Sequence, residues 1–408
     1  MPAYIFGVVL FALGICVSVA LHEAGHMLTA KAFGMKVRRY FIGFGPKVFS
    51  FRRGETEYGL KWIPLGGFCD IAGMTALDEV TPDEAPRAMW RFKTWKRTVV
   101  MAAGSVTHFI LGFVVLYLMA ATMGLPNLVV GRPEISAVSD CVRSATTEQE
   151  FASPVCQPGD AAPAKTGGIL PGDEIVSVNG TRTPTYSDVT ALIQQLSGPT
   201  RFEVERGGQI VPLTVDVVRV DRPVPDPANP NGPERIVSVG SIGVTFPSTV
   251  QYTAVTAIGG AAAFTGDMFV QTWQRLLEFP ERIPAVVSSI FGGERDPNTP
   301  VSVVGASRIG GEAVQAGLWS LFLLLLASLN FFVGVFNLLP LLPLDGGHIA
   351  IVWYERVRDW VLKLRGKAAG GPVDYSKLSA VTVVLVLIGG AVTLLTVTAD
   401  IVNPIKLQ

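Results

Sequence analysis

The chain carries no net charge: its 408 residues hold 33 Lys/Arg against 33 Asp/Glu. That balance gives no support to a nucleic-acid role, which needs a basic face. Charged residues of either sign make up only 16%, against 49% hydrophobic, so apolar surface is plentiful and the length allows several domains. Cysteine is sparse, at four, which leaves room for two bridges at most. A basic start is also lacking. The first apolar run, from about Tyr4 to Phe33, is therefore not expected to be a cleavable signal peptide. It exceeds the apolar core of such a peptide, and cleavage would discard the two histidines at positions 22 and 26.

What is present is a set of four long apolar runs, about Tyr4–Phe33, Val99–Met123, Leu318–Leu344 and Leu378–Val402. Each meets the requirement of roughly 20 apolar residues for a membrane span. Charge is unevenly distributed around them. Residues 30–100 hold thirteen Lys/Arg against seven Asp/Glu, whereas residues 123–318 hold thirteen against twenty. Basic residues flank the first two spans (Lys31, Lys36, Arg38 and Arg39; Arg87, Arg91, Lys93, Lys96 and Arg97) and recur between the last two, from Arg356 to Lys377. By the positive-inside rule those stretches face the cytoplasm, and both termini and the segment 124–317 face outward. Cys141 and Cys156 lie in that outward segment, where a disulfide is chemically allowed; two unrelated thiols are the alternative. Cys16 and Cys69 are expected to stay reduced.

Inside the first run stands Leu21-His22-Glu23-Ala24-Gly25-His26-Met27. The spacing puts His22 and His26 on one helix face, where two imidazoles can grip one zinc ion. Glu23 sits beside that position, suited to take a proton from a water there. A charge at bilayer depth costs about 2.5–3.5 kcal/mol on insertion scales, so the group needs a partner and a use. The competing reading is a buried, hydrogen-bonded pair without metal. A third ligand decides between them, because a catalytic zinc takes three protein ligands and keeps one open position.

Between the first two spans, residues 37–70 read as a β-hairpin region. Arg39–Ile42, Lys47–Phe51 and Glu57–Ile63 are strand-like, with turns at Gly43-Phe44-Gly45-Pro46 and Arg53-Gly54-Glu55. A sheet edge beside an active site can receive an extended peptide; a plain cytoplasmic hairpin is the alternative. In the outward segment, residues 129–219 read as a small soluble domain. Pro171-Gly172-Asp173 leads into a strand ending at Asn179-Gly180, Tyr186–Leu196 follows as an amphipathic helix, and Thr200–Arg206 with Ile210–Val218 form a hairpin around Gly207-Gly208. A proline-rich linker, 221–234, comes next. Beyond it Phe264, Met268, Phe269, Trp273, Leu276 and Leu277 recur at helical spacing, consistent with a helix on the outer membrane surface or with the core of a small domain.

The third span ends Asn337-Leu338-Leu339-Pro340-Leu341-Leu342-Pro343-Leu344-Asp345-Gly346-Gly347-His348. Two prolines loosen the helix before Asp345, which membrane depth tolerates only where freed backbone groups are buried in protein or face water. Spans one and three run in the same direction, so Asp345 reaches the depth of His22 and His26. The three complete a His₂Asp zinc site, one ion per chain, in the cytoplasmic half of the bilayer. His108 and His348 are read as packed histidines neighbouring the site rather than as ligands.

These motifs resemble the site-2 protease family of intramembrane zinc metalloproteases. The resemblance rests on His22-Glu23-Ala24-Gly25-His26 and on Asn337-x-x-Pro340-x-x-x-Leu344-Asp345-Gly346, with an outward domain that resembles PDZ domains. Gly43-Phe44-Gly45, Pro64-Leu65-Gly66-Gly67-Phe68 and Pro300-Val301-Ser302-Val303-Val304-Gly305 support it. Within the family the chain is most similar to bacterial regulator-of-sigma proteases of the actinobacterial type. One departure is visible: relatives commonly carry Gly-Pro-x-x-Asn in the second span, where this chain has Gly104-Ser105-Val106-Thr107-His108.

The resemblance implies a polytopic α-helical protein of the plasma (cell inner) membrane, with four transmembrane helices, a membrane-associated β-hairpin region and an inserted extracytoplasmic PDZ-like α+β domain. The expected divisions are span one at 1–33, a cytoplasmic-side hairpin or re-entrant region and basic loop at 34–97, and span two at 98–123. The PDZ-like domain follows at 124–220, the linker and membrane-surface segment at 221–317, span three at 318–345, a cytoplasmic loop at 346–377 and span four at 378–402. Substrates implied are single-span membrane proteins, anti-sigma factors above all, already cut outside by a site-1 protease. Glu23 is the expected base. Asn337 is the candidate to hydrogen-bond substrate backbone or the developing oxyanion, with a helix-to-helix hydrogen bond as its alternative. Gly43, Phe44, Gly45, Gly66 and Gly67 are substrate-binding candidates. The PDZ-like domain either reads a new carboxyl end or excludes bulky uncut substrates, and the depth of the site favours exclusion. Two other classes compete. A PDZ-bearing scaffold with a vestigial zinc site would have no need of Glu23, and a zinc transporter would have no need of a large peptide-binding domain.

Overall fold

The structure, a computed structural model, describes the chain apart from residues 76–77, 128–132, 146–154, 225–234, 294, 297, 372, 406 and 408; the side chains of 64, 65, 224, 376 and 377 are also outside the description. Two compact units emerge: Met1–Met119 with Ala254–Gln408, and the inserted Ala120–Thr253.

The first unit opens with α1 (Pro2–Ala32), whose 31 residues span about 45 Å at 1.5 Å per residue. After a turn at Gly34, β1 (Val37–Arg53) and β2 (Thr56–Ile71) pair as one antiparallel hairpin. The hairpin bends back on itself. Arg39 to Ile42 are flanked by Glu57 to Leu60 on one side and by Gly67 to Asp70 on the other, so two strands give the width of four. Gly43 and Gly45 make the bend possible, with φ of 86° and 81°, a region closed to most side chains. A Cβ on Gly43 would also come within 2.8 Å of the Ile63 carbonyl oxygen. Tyr40 donates its phenol to the Ala20 carbonyl of α1 at 2.7 Å, and Met27, Ala30, Met35, Val37, Ile71, Met89, Val100 and Met101 form the core beneath. At the hairpin's outer corner Arg38 donates to both Glu84 oxygens and to Asp78. The guanidinium beside Glu84 holds its carboxyl down to about 2. The chain then enters α2 (Thr94–Thr122).

The inserted unit is α+β. Short strands β3 (Leu125–Pro126) and β4 (Ala137–Val138) precede α3 (Pro163–Thr166), β5 (Glu174–Val178), β6 (Thr181–Arg182), α4 (Tyr186–Gln195), β7 (Gly198–Arg206), β8 (Gln209–Val224), β9 (Arg235–Ser241), β10 (Val244–Thr245) and β11 (Thr249–Val250). Five of the strands form one sheet in the order β6-β5-β7-β8-β9. The Asn179-Gly180 turn has φ of 48° and 78°, the left-handed pair that a two-residue hairpin loop requires. Helix α4 starts with a reciprocal cap between Thr185 and Asp188 and buries Val189 and Ile193 against Ile175, Phe202, Val204, Val215 and Val217. Cys141 and Cys156 are joined by a disulfide, whereas Cys16 and Cys69 are in none.

The domain end expected at 220 is corrected by this sheet. Residues 221–224, read as linker, belong to β8 and pair with Arg235 to Ser238 of β9. Pro223 lies near the strand's end, where proline is tolerated; the remainder of the proline-rich stretch, 225–234, lies outside the described residues.

The first unit resumes with α5 (Thr256–Ile290), α6 (Val303–Gln315), α7 (Trp319–Asn337), α8 (Asp345–Leu364) and α9 (Tyr375–Val402). Helix α5 falls where helical spacing predicts one; Phe264 and Met268 are buried, while Trp273 and Leu277 are exposed. It packs against α7 and α9. Helices α1 and α6 approach closely through glycine: a Cβ on Gly7 would lie 2.8 Å from the Gly311 Cα. Among the described residues, four helices are long and apolar enough to cross a membrane, Pro2–Ala32, Thr94–Thr122, Trp319–Asn337 and Leu378–Val402. Two sequence expectations change here. Helix α7 stops at Asn337 rather than running to Asp345, because Pro340 and Pro343 cannot continue its hydrogen bonding. Residues 346–364, expected as loop, are helical in α8, whose first residue is Asp345.

Candidate metal centre

Three side chains from two distant stretches converge. His22 and His26 stand one turn apart on α1, with Nε2 atoms 3.1 Å from each other. Asp345 Oδ2 lies 3.3 Å from each of those nitrogens. All three donor atoms fit within 4.8 Å of one another, and both histidines are buried. A divalent cation suits this set. Two imidazole nitrogens and a carboxylate oxygen are zinc donors, and the buried Asp345 Oδ2 has no hydrogen-bond partner among the described residues, an expensive state for a carboxylate oxygen without a cation. Glu23 follows His22 in sequence and is half-buried beside the trio.

Backbone contacts fix His26 and the segment around Asp345. His26 Nδ1 pairs with the Val100 carbonyl of α2 at 2.7 Å. A proton on Nδ1 makes that bond, which leaves Nε2 with a free lone pair facing the other donors. Gly25 presses α1 onto α2, where a Cβ would meet the Ala103 carbonyl oxygen at 2.7 Å. Asp345 is held by chain compaction: a Cβ on Gly346 would lie 2.2 Å from the Leu338 carbonyl oxygen, and one on Gly347 would lie 2.6 Å from the Leu341 carbonyl carbon. The segment linking α7 to α8 is thus folded tightly under the carboxylate. Arg97 of α2 pairs with Glu355 at 3.3 Å and Trp353 donates to Thr98, which ties α8 to the helix that carries the other contacts.

Gly104 of α2 forms the floor beneath both imidazoles. A Cβ there would come within 2.5 Å of His22 Cε1 and of His26 Nε2. Gly104→Ala is therefore expected to weaken zinc binding by about 1–3 kcal/mol, the usual cost of overpacking, or roughly 5–150-fold. Metal affinity of the purified variant measures this, and wild-type affinity would mean that α2 can move away freely.

The remaining sequence candidates separate. Gly67 of β2 lies against Glu23: a Cβ on it would sit 3.0 Å from Glu23 Cγ. The stretch Gly67–Asp70 pairs on one side with β1, and no described strand pairs with its other edge. Gly66, Gly43, Gly45 and the exposed Phe44 cluster at the bend instead; a Cβ on Gly66 would meet the Phe44 ring at 2.6 Å. Asn337 is half-buried at the end of α7 and takes no part in the contacts that assemble the trio. His348 lies one turn beyond Asp345, with its ring 6.1 Å from that of Tyr375.

Sequence reasoning missed a buried polar pair. His108 of α2 and Asn330 of α7 are bonded Nδ1 to Oδ1 at 2.8 Å, and the His108 ring stands 5.0 Å from that of His22. An asparagine in the middle of an apolar span was the available signal.

Comparison with known proteins agrees with this chemistry. A family model described as peptidase family M50 matches residues 10–381. The chain is 47% identical over 405 residues to the zinc metalloprotease Rip1 of Mycolicibacterium smegmatis, covering 98% of each chain. It is 46% identical over 407 residues to the zinc metalloprotease Rip1 of Mycobacterium tuberculosis, covering 99% of each. It is also similar to the metalloprotease MmpA of Caulobacter vibrioides, 28% identical over 391 residues, with 88% of this chain and 89% of that one covered.

Proposed function

The chain belongs to peptidase family M50, a zinc metalloprotease with, among the described residues, four helices apolar enough to cross a membrane, and from that premise we propose that it cuts single-span membrane proteins within or beside their membrane segment. The observation that carries this reading is the convergence of His22, His26 and Asp345 beside Glu23 on apolar helices. On this reading those three residues hold the zinc. When bound, zinc acts as a Lewis acid toward the scissile carbonyl and makes a nearby water easier to deprotonate.

The chain's own residues do the rest. Glu23 removes a proton from the attacking water and returns it to the leaving nitrogen. A membrane helix hides its peptide bonds, so substrate must unwind before attack. The unpaired edge of Gly67–Asp70, beside Glu23, suits an extended segment that bonds through its backbone. Gly67 lets that backbone come close, while Phe44 and the bend glycines shape the approach. Asn337 is the candidate donor to the substrate backbone. Basic residues flanking the spans put the site on the cytoplasmic side and both termini outside. The inserted unit, with its five-stranded sheet and capped α4, is read as a PDZ-like filter that excludes substrates with bulky outward domains. Anti-sigma factors trimmed outside by another protease fit all these demands.

The test is reconstitution in lipid vesicles with a single-span anti-sigma factor, presented whole and with its outward domain removed. The trimmed form should be cut inside its membrane segment, as read by product mass, and metal chelation should stop the reaction. Cleavage only in water-exposed regions, or equal cleavage of casein-like soluble chains, would sink the proposal.

A further inference from the structure

His22 and His26 are treated unequally by the fold. His26 has a backbone carbonyl on Nδ1, whereas His22 Nδ1 is buried with no hydrogen-bond partner among the described residues. A metal-bound imidazole without a partner on its other nitrogen is poorly oriented and less basic. The ring nearest to His22 across the helix interface is His108 of α2, at 5.0 Å and 47°. His108 is 3% exposed and Asn330 1%, so the fold buries two polar groups in the apolar interior where leucines would pack.

Asn330 determines which nitrogen of His108 carries the proton. Its Nδ2 donates to the Leu326 carbonyl one turn back at 2.8 Å, so its Oδ1 must be the atom facing His108 Nδ1 at 2.8 Å. An amide oxygen accepts only, so His108 Nδ1 bears hydrogen and, in a neutral ring, Nε2 keeps a bare lone pair. His108 does not join the cluster of donor atoms formed by His22, His26 and Asp345, which argues against a fourth ligand. The ring that carries this acceptor nitrogen therefore stands beside the ligand ring whose Nδ1 has no hydrogen-bond partner among the described residues. We propose that His108, set in one tautomer by Asn330, is the positioning residue for His22, offering its Nε2 to the His22 Nδ1 proton. The Leu326–Asn330–His108–His22 chain would then orient the zinc ligand from α7 through α2, as Val100 does for His26.

This inference rests on the trio being the zinc site, and its test separates the two. Zinc affinity is measured on purified full-length protein by chelator competition, with the absorption spectrum of the cobalt-substituted protein as a second readout. His108→Leu should bind zinc roughly 10–100-fold more weakly, the usual cost of losing an orienting partner, and should shift the cobalt bands. His108→Gln, which keeps an acceptor, should recover most of the affinity. Asn330→Leu should weaken binding as well, and adding it to His108→Leu should cost little more, because the two act through one bond. Wild-type affinity in His108→Leu, or equal weakness in the Leu and Gln variants, would overturn the proposal. If His108→Leu does not fold, Asn330→Leu decides alone, and unchanged affinity and spectrum there overturn it. Asp345→Ala serves as the reference: full zinc in that variant would sink the site itself, whereas zinc lost there but kept in His108→Leu would sink only this inference.

Discussion

Asp345→Ala should lose its zinc and all proteolysis while still inserting into the membrane. On the proposed site, removing Asp345 leaves two imidazoles, and zinc held by two imidazoles exchanges readily with chelators. Orienting partners alone are worth roughly 10–100-fold in metal affinity, so loss of a donor that touches the metal should exceed about 100-fold. Among the described residues no other carboxylate joins the grouped donor atoms. Glu23 belongs to the same helix turn as His22 and is not among the grouped donor atoms. Folding should survive, because α8 is anchored by Arg97–Glu355 and Trp353–Thr98 rather than by Asp345. Metal analysis after dialysis against a chelator, with an intact Cys141–Cys156 disulfide as the folding control, gives the answer. Full zinc occupancy would show that the third ligand is elsewhere.

The convergence of His22, His26 and Asp345 was legible in the sequence because two rules act on it. Helical periodicity puts His22 and His26 on one face, and counting spans brings Asp345 to their depth. Neither rule depends on detailed packing. The local setting of Asp345 was less legible. The apolar run reads as continuous through Leu344, so the residue looked like the end of a span. In the structure it starts a new helix after a folded connection, and only the clash around Gly346 and Gly347 reveals how tightly that connection is packed.

The hairpin region illustrates another limit. Its strand-like stretches follow from alternation and turn residues, but the doubled register of Arg39–Ile42 does not. That register follows from long-range pairing around a glycine bend, and it brings Gly67 next to Glu23. The pairing of His108 with Asn330 was not legible for a related reason. They lie on different spans and meet only through the rotation of α2 against α7, which no periodic pattern in either span reports. The strand at 221–224 was hidden by its prolines, which signal a break locally although pairing with β9 overrides them.

Glu23→Gln should keep zinc at the wild-type level and lose roughly 10²–10⁴-fold in turnover, the range attributed to general acid–base catalysis. Glutamine has nearly the same shape and can still accept a hydrogen bond, so the space between His22, His26 and Gly67 stays filled. It cannot take up the water's proton at neutral pH. Binding of substrate should change little, because the proposed recognition is through the backbone edge of Gly67–Asp70, so the loss should appear in kcat with KM nearly unchanged. Combining Glu23→Gln with Asp345→Ala should be no worse than Asp345→Ala alone, since residues that act as one unit do not contribute additively. Single-turnover cleavage of the trimmed substrate, with zinc content measured on the same preparation, separates the outcomes. A variant with full zinc and near-normal turnover would show that Glu23 is not the base. Zinc lost along with turnover would instead make Glu23 part of the metal's support, and the same measurement on Asp345→Ala gives the scale for that loss.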